Sequence, residues 1–248
     1  TQSLAAKVLK LEHQAYPAAI AKLWAEVTSP PKDEASAPEL RPINKRGVLY
    51  WIAYPFAFAF VAVLFTILGP WCCRGGRNVP KKGGVLIISN HLSDCDPILV
   101  QLGALRPIDF MAKSELFTMP VLGPLIRWFK AFPVRRGNPD KAAMRYAVQL
   151  LQAGECVCIF PEGKLSETGE LQAVLPGAAL IVRLAGVPVV ACGLQGTNRI
   201  IPYGKYTPRM AFSMVRVKFG QPRTFEASAS NDEILAWMTQ ELEQLTRR

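Results

Sequence analysis

The chain has 248 residues, of which 50% are hydrophobic, and its 29 lysines and arginines outnumber 19 acidic residues to give a formal net charge of +10. This length suits one sizeable core with a small appendage. The charge favours anionic partners such as phosphate-bearing substrates or lipid headgroups. Nucleic acid is disfavoured, because the sequence has neither zinc-finger spacing nor the aromatic strand motif that stacks bases.

The first 45 residues are predicted to form an amphipathic helix and a linker. Apolar side chains recur at helical spacing over residues 3–28, with a break or kink expected near Pro17, and His13 is expected to have a solvated or interfacial role there. Residues 29–43 are rich in proline and charge, which is typical of a linker.

Residues 46–75 are predicted to insert into a membrane. The chain carries no charge from Val48 to Trp71, and a helix of that length could cross the hydrocarbon core. Cations flank both ends of the segment, and Pro55 could bend it. A single span and a re-entrant or interfacial hairpin with both ends in the cytoplasm therefore both remain open.

Residues 76–248 are predicted to form an α/β domain with a mixed, largely parallel central sheet flanked by helices. Helices are expected after Asp140, with a stop at Gly154, and after the capping box of Ser230 and Glu233. Five apolar runs predict strands: Val85–Ser89, Ile108–Met111, Cys156–Phe160, Val187–Leu194 and Val215–Phe219.

The six cysteines include no C-x-x-C pair of the kind found in zinc and redox sites, and Cys156 and Cys158 alternate with valine as buried strand residues would. We therefore expect a reduced, cytosol-facing compartment, although an even number of cysteines also permits disulfides.

His91 follows the Val85–Ser89 strand, where α/β proteins place their ligand sites. Asp96 lies five positions later and can hold one imidazole nitrogen protonated, which leaves the other free to take a proton from a hydroxyl. Asp94 could compete for this role. A loop histidine bonded to a capping aspartate is the alternative without catalysis.

Further polar groups follow other apolar runs. Phe160-Pro161-Glu162-Gly163 presents a carboxylate at a strand end, and Lys113 follows the preceding predicted strand. Arg135 and Arg136 come after a Phe-Pro-Val run, and they are either a solvated pair or a phosphate site, because arginine suits two-pronged recognition of phosphate.

These blocks, in this order, resemble the glycerolipid acyltransferases that acylate lysophosphatidate, the bacterial type of 1-acyl-sn-glycerol-3-phosphate acyltransferase. The resemblance covers about residues 83 to 221 and rests on four blocks: His91 with Asp96, Lys113 through Gly137, Phe160 to Gly163, and Val187 to Val189.

The resemblance implies an enzyme that moves a fatty acyl group from acyl-CoA or acyl carrier protein to the sn-2 hydroxyl of lysophosphatidate, forming phosphatidate. His91 would be the general base and Asp96 its partner, and no cofactor or metal is expected. Glu162 and Gly163 would position the acceptor. The remaining predicted substrate contacts are Lys113, Arg135, Arg136, Lys164 and Ser166. The enzyme would lie on the cell membrane among membrane lipids, with its catalytic domain facing the cytoplasm.

One position departs from the family pattern: Leu165 stands where the third block usually has arginine, and Lys164 precedes it. This motivates an alternative acceptor, such as another lysolipid, a glycolipid or an aminolipid. A hydrolase that uses the same dyad on water is a further alternative, and its serine version is disfavoured by the missing G-x-S-x-G elbow. A non-catalytic membrane lipid-binding protein is disfavoured by the intact His91 and Asp96.

Overall fold

The computed structural model describes residues 46–135, 140–205, 207–226 and 228–247. The predicted helix over residues 3–28, the linker and His13 lie outside the described residues, as do Arg136 and Gly137.

Seven strands form one sheet in the order β1-β7-β6-β2-β5-β3-β4. All neighbouring pairs are parallel except β6 and β7, so the predicted mixed, largely parallel sheet is confirmed. The strands are β1 (Trp71–Arg74), β2 (Val85–Ser89), β3 (Asp109–Lys113), β4 (Phe132–Val134), β5 (Cys156–Ile159), β6 (Val189–Gln195) and β7 (Val215–Phe219).

Helices cover both faces of the sheet, so its central strands are buried on both sides. One face packs against α4, α5 and α6, and the other packs against α1 and α2. The helices are α1 (Val48–Leu68), α2 (Asp96–Ala104), α3 (Leu122–Trp128), α4 (Lys141–Gln152), α5 (Pro176–Ala185) and α6 (Asn231–Thr246).

All five predicted strands are present, and their ends differ from the prediction by no more than two residues. The short edge strands β1 and β4 were not predicted. Within the uncharged run from Val48 to Trp71, the helix ends at Leu68. Pro70 has no amide hydrogen with which to continue a helix, and the chain passes into β1 directly after it.

The connections of β2 and β5 place a crevice between these neighbouring strands. The crossover through α2 joins β2 to β3 over one face, while the crossover through α5 joins β5 to β6 over the other. The chain therefore leaves the two strands in opposite directions. Ligands bind outside the carboxyl ends of strands at such a switch point.

Helix α1 lies along the α/β domain instead of projecting away from it. Tyr50 and Phe65, near its two ends, are only 8% and 4% exposed. About one turn beyond Tyr50, the Gln101 amide of α2 donates a hydrogen bond of 2.9 Å to the Tyr54 hydroxyl. The opposite face of α1 is apolar and exposed, and it includes Val48, Leu49, Ile52, Phe56, Phe60, Val63 and Ile67.

Candidate active site

His91 lies in the crevice because β2 ends at Ser89, two residues before it. The side chain of Asn90 fixes this exit by pairing with the neighbouring strand β6. Its Oδ1 accepts a hydrogen bond of 2.7 Å from the Leu194 amide, and its Nδ2 donates one of 3.1 Å to the Leu194 carbonyl. The backbone that carries the histidine is therefore anchored on one side before the turn begins.

Asp96, the first residue of α2, lies beside the imidazole with its Oδ2 2.9 Å from Nδ1 of His91. The same oxygen accepts hydrogen bonds from the main-chain amides of Leu92 and Ser93 at 2.6 and 2.8 Å. These bonds hold the carboxylate while it orients the ring. With Nδ1 as the donor, Nε2 keeps its lone pair and can accept a proton. Asp94, the other candidate partner, is exposed.

Glu162 holds the histidine from the other side of the crevice. Its Oε1 accepts a hydrogen bond of 2.8 Å from the His91 amide, and its Oε2 accepts one of 2.8 Å from the Gln172 amide. The residue is only 4% exposed. Burial raises the pKa of its carboxyl above the usual range, and the two amide donors oppose that rise. Glu162 thus ties β2 to β5 through the backbone of the histidine.

Phe160 and Ser166 complete the surroundings of His91. The Phe160 ring stacks on the imidazole with a centroid distance of 3.9 Å and an interplanar angle of 17°. The Ser166 amide donates a hydrogen bond of 2.8 Å to the His91 carbonyl. The hydroxyl of Ser166 is used within its own loop, where it donates to the Glu170 carbonyl and accepts from the Gly169 amide.

Two of the predicted anion contacts lie at the same edge of the sheet as His91. Lys113 is the last residue of β3 and Arg135 follows β4, so both stand at carboxyl ends of parallel strands. Lys113 pairs with Glu115 at 3.4 Å. Arg135 is exposed, and its amide donates to Asp140. Lys164 is exposed on the turn after Gly163, whose φ of 71° suits glycine.

Cys95 is the thiol nearest to His91 in sequence, and its environment makes it a poor nucleophile. It is 1% exposed, and burial raises its pKa to about 12. The thiol therefore stays protonated at neutral pH, whereas the thiolate is the reactive form. A base acting directly on a bound hydroxyl is the chemistry that this arrangement supports.

Sequence reasoning placed His91, Asp96 and Glu162 at strand ends but missed how they are linked. The contact between Glu162 and the His91 amide follows from the pairing of β2 with β5, in which Ile88 faces Ile159. The stacking of Phe160 on His91 and the two hydrogen bonds between Asn90 and Leu194 were missed as well. For Asn90, a buried amide side chain at a strand exit was an available signal, because buried polar groups require partners.

This fold is that of an α/β enzyme with its polar site at the switch point of the sheet. A model of the acyltransferase family matches residues 71–195, half of the chain, and the chain belongs to that family. A 1-acyl-sn-glycerol-3-phosphate acyltransferase of Bacillus subtilis is 29% identical over 194 residues, covering 77% of this chain and 96% of that protein.

Two further relatives have similar names. A 1-acyl-sn-glycerol-3-phosphate acyltransferase of Streptococcus pneumoniae is 33% identical over 140 residues, which cover 55% of this chain and 51% of that protein. The crystal structure of the 1-acyl-sn-glycerophosphate (LPA) acyltransferase PlsC from Thermotoga maritima superposes with a TM-score of 0.68. It is 25% identical, with 82% of this chain and 81% of that chain covered.

Proposed function

We propose that this protein transfers a fatty acyl group from an acyl thioester, either acyl-CoA or acyl carrier protein, to the sn-2 hydroxyl of lysophosphatidate, forming phosphatidate. The observation that carries the proposal is the His91–Asp96 pair, held at the switch point of an acyltransferase-family fold. The names of the relatives support lysophosphatidate as the acceptor. The proposed reaction needs no cofactor and no metal.

The proposed mechanism follows from the free nitrogen of the histidine. Nε2 of His91 takes the proton of the acceptor hydroxyl, and the oxygen attacks the thioester carbonyl. The tetrahedral intermediate then expels the thiolate, which takes up the proton from the imidazolium. Asp96 stabilises the charged ring at Nδ1. General-base catalysis of this kind supplies about 10²–10⁴-fold in rate, and positioning of the two substrates supplies much of the rest.

For the acceptor phosphate we propose a site formed by Lys113, Arg135, Arg136 and Lys164. Lys113 ends β3, which lies beside β5, and Arg135 follows β4, one strand further along the sheet, so both residues stand at the edge that also carries His91. Arg136 lies outside the described residues and enters the proposal through the sequence alone. Gly163 and Ser166 belong to the loop beside the histidine and are proposed to border the acceptor.

One observation favours a different lipid as the acceptor. Leu165 is half-buried where the family pattern has an arginine, and the neighbouring Lys164 offers a single point charge. The replacement of arginine by Leu165 suits another lysolipid, a glycolipid or an aminolipid, because these headgroups depend less on an arginine that binds phosphate through two hydrogen bonds.

For the membrane, we infer an attachment through α1 in which the helix lies beside the catalytic domain, with that domain on the cytoplasmic side. Within the described residues, α1 is the one helix long and apolar enough to cross a bilayer, with a mean hydropathy of 2.2. Because both of its ends contact the domain, an in-plane or re-entrant placement fits it better than an isolated span.

Acylation by the purified, detergent-solubilised protein tests the proposal. Labelled oleoyl-CoA is offered with lysophosphatidate, other lysophospholipids, a glycolipid and an aminolipid. His91→Ala should lower the rate by about 10²–10⁴-fold, whereas His13→Ala, at the only other histidine, should leave it unchanged. Full activity in His91→Ala, or no acylated product from any acceptor, would overturn the proposal.

Leu165→Arg on the same panel separates the two acceptors. If lysophosphatidate is the native acceptor, the added arginine should change its KM by no more than a few-fold. A large gain with lysophosphatidate, together with a loss on the best native acceptor, would assign the protein to another lipid.

A further inference from the structure

A second basic site lies at the opposite edge of the sheet from His91. An open cavity of ≈ 580 Å³ is lined by segments that precede β2, β3 and β5, together with the start of α1: Arg46, Trp51, Lys81, Lys82, Gly83, Leu105, Arg106, Pro107, Gly154 and Glu155. It stands at the amino ends of strands whose carboxyl ends form the crevice. A strand such as β2 separates the two sites by roughly 15 Å, at about 3.3 Å per residue.

Arg106 fixes the shape of this cavity. Its guanidinium donates to the carbonyls of Pro80 and Gly83 at 2.6 and 3.0 Å, and to the carbonyl of Gly154 at 3.3 Å. The loop that carries Lys81 and Lys82 is therefore held in place on both sides. The cavity is a built feature of the fold, since three segments of the chain are joined at one side chain.

The charges at the cavity leave an excess of cations. Arg46 is neutralised by two carboxylates, Asp109 at 2.8 Å and Glu155. Within the described residues, the Arg106 guanidinium donates to three carbonyls and has no carboxylate partner, so no ion pair there neutralises its charge. Lys81 and Lys82 are exposed, and neither forms an ion pair within the part of the chain that the structure describes. An anion entering the cavity would meet three unneutralised cations.

Large apolar side chains stand beside these cations. Trp51 is 53% exposed, and Leu105 is 61% exposed. Leu105 ends α2 with a φ of 56°, a left-handed conformation that a helix normally gives to glycine. Trp51 belongs to α1, whose exposed apolar face begins at the cavity and continues away from it. Tryptophan and lysine together are typical of the bilayer interface.

We propose that this cavity binds the phosphate of an anionic membrane phospholipid whose acyl chains lie along the exposed face of α1. The site is separate from the catalytic crevice, and its lipid is neither acceptor nor product in the turnover at His91. Arg106, Lys81 and Lys82 contact the phosphate, and Trp51 and Leu105 contact the first part of the lipid below it. A bound lipid of this kind secures the amino end of α1 at the membrane surface.

Native mass spectrometry of the full chain in detergent, titrated with dioleoylphosphatidylglycerol or dioleoylphosphatidylcholine, tests the proposal. The wild type should prefer the anionic lipid. The double variant Lys81→Gln/Lys82→Gln should lose about 25-fold in affinity for phosphatidylglycerol, because each lysine near a lipid surface contributes about fivefold, while phosphatidylcholine binding stays unchanged.

The matched control is Arg216→Gln/Lys218→Gln, which removes the same charge from β7, where both side chains face away from the α1 side of the sheet. This control should keep the preference for phosphatidylglycerol. Both double variants should melt at the wild-type temperature and acylate their acceptor at the wild-type rate in detergent.

Three results would overturn the proposal. In the first, Lys81→Gln/Lys82→Gln binds phosphatidylglycerol as the wild type does. In the second, millimolar inorganic phosphate displaces the lipid completely, which would identify a site for free phosphate. In the third, loss of lipid binding is matched by an equal loss of acylation, which would make the cavity part of the acceptor site.

Discussion

Both carboxylate oxygens of Glu162 accept hydrogen bonds from main-chain amides, and one of these amides belongs to His91. The imidazole proposed as the general base is thereby held from two directions: by Asp96 through Nδ1 and by Glu162 through the backbone. The hydrogen bond between the His91 amide and Glu162 does not depend on any contact with substrate. Loss of the hydrogen bond between the His91 amide and Glu162 should shift the position of the imidazole while the residue itself stays intact.

Glu162→Gln tests this positioning role. A glutamine keeps the size of the side chain, but its NH₂ group faces one of the two amide donors, so one hydrogen bond is lost. We expect kcat to fall by about 10²-fold, as a misplacement of roughly 1 Å can cause, with a small change in KM for the acyl donor. The measurement is steady-state acylation at several donor concentrations.

A purely structural role for Glu162 would lower the melting temperature and the fraction of active enzyme while leaving kcat per active site unchanged. Active-site titration of Glu162→Gln therefore decides the question. Normal turnover per site would contradict the positioning role.

Asp109 gives the protein a distinct pH dependence. Burial raises the pKa of its carboxyl to about 6, although Arg46 beside it acts in the other direction. The folded state thus holds a proton on Asp109 more tightly than the unfolded chain, where an aspartate titrates near ~3.9. The contribution of this group to stability is fully present below the unfolded pKa and is lost as the pH rises through about 6.

Melting temperatures of the wild type and Asp109→Asn between pH 7 and pH 4.5 measure this effect. The wild type should gain stability relative to the variant as the pH falls through about 6. A constant difference between the two proteins across this range would show that Asp109 titrates at its ordinary pKa.

Among the elements, α4 and α6 begin as their sequences predict, with Asp140 and Ser230 as N-caps. These starts depend on local chemistry, since a side-chain oxygen satisfies an amide three residues later. Strands β1 and β4 have no such local signal. Trp71 finds its partner only at Val215, and the three residues of β4 are too few to show a period.

The same contrast applies to the site. The approach of His91 and Asp96 is local and was predictable from a spacing of five residues. The contact of Glu162 with His91 joins residues 71 positions apart and depends on strand register, which one sequence does not specify.

Replacement of the two N-caps separates stability from function. Asp140→Ala and Ser230→Ala should each cost about 1 kcal/mol and lower the melting temperature by about 2–4 °C. Asp140 also accepts a hydrogen bond from the Arg135 amide, so only its replacement should raise KM for the acceptor. Equal acceptor KM values in the two variants would argue against a role for the Arg135 segment in binding.

At the scale of the whole molecule, the apolar helix and the catalytic domain are one folding unit. Arg46 before α1 and β1 after it both join the domain, the first through Asp109 and Glu155, the second through β7. The domain boundary predicted at residue 75 falls after β1, so a cut there removes a strand as well as the helix.

A fragment of residues 76–248 should therefore aggregate and lack activity, whereas residues 46–248, which keep α1 and β1, should stay monomeric in detergent. The shorter fragment exposes the edge of β7 and lacks Arg46, the cation that pairs with Asp109. Size-exclusion chromatography and acylation assays compare the two. A monomeric, active fragment of residues 76–248 would contradict this view.

The pairing of β1 with β7 also sets an order of events during synthesis. Trp71 leaves the ribosome about 140 residues before its partner Val215, a delay on the order of ten seconds at an elongation rate of about 5–20 residues per second. Helix α1 is complete throughout that delay, so it can settle into lipid before the sheet closes. Under the membrane attachment proposed for α1, the nascent chain reaches the bilayer first, and β7 pairs with β1 afterwards.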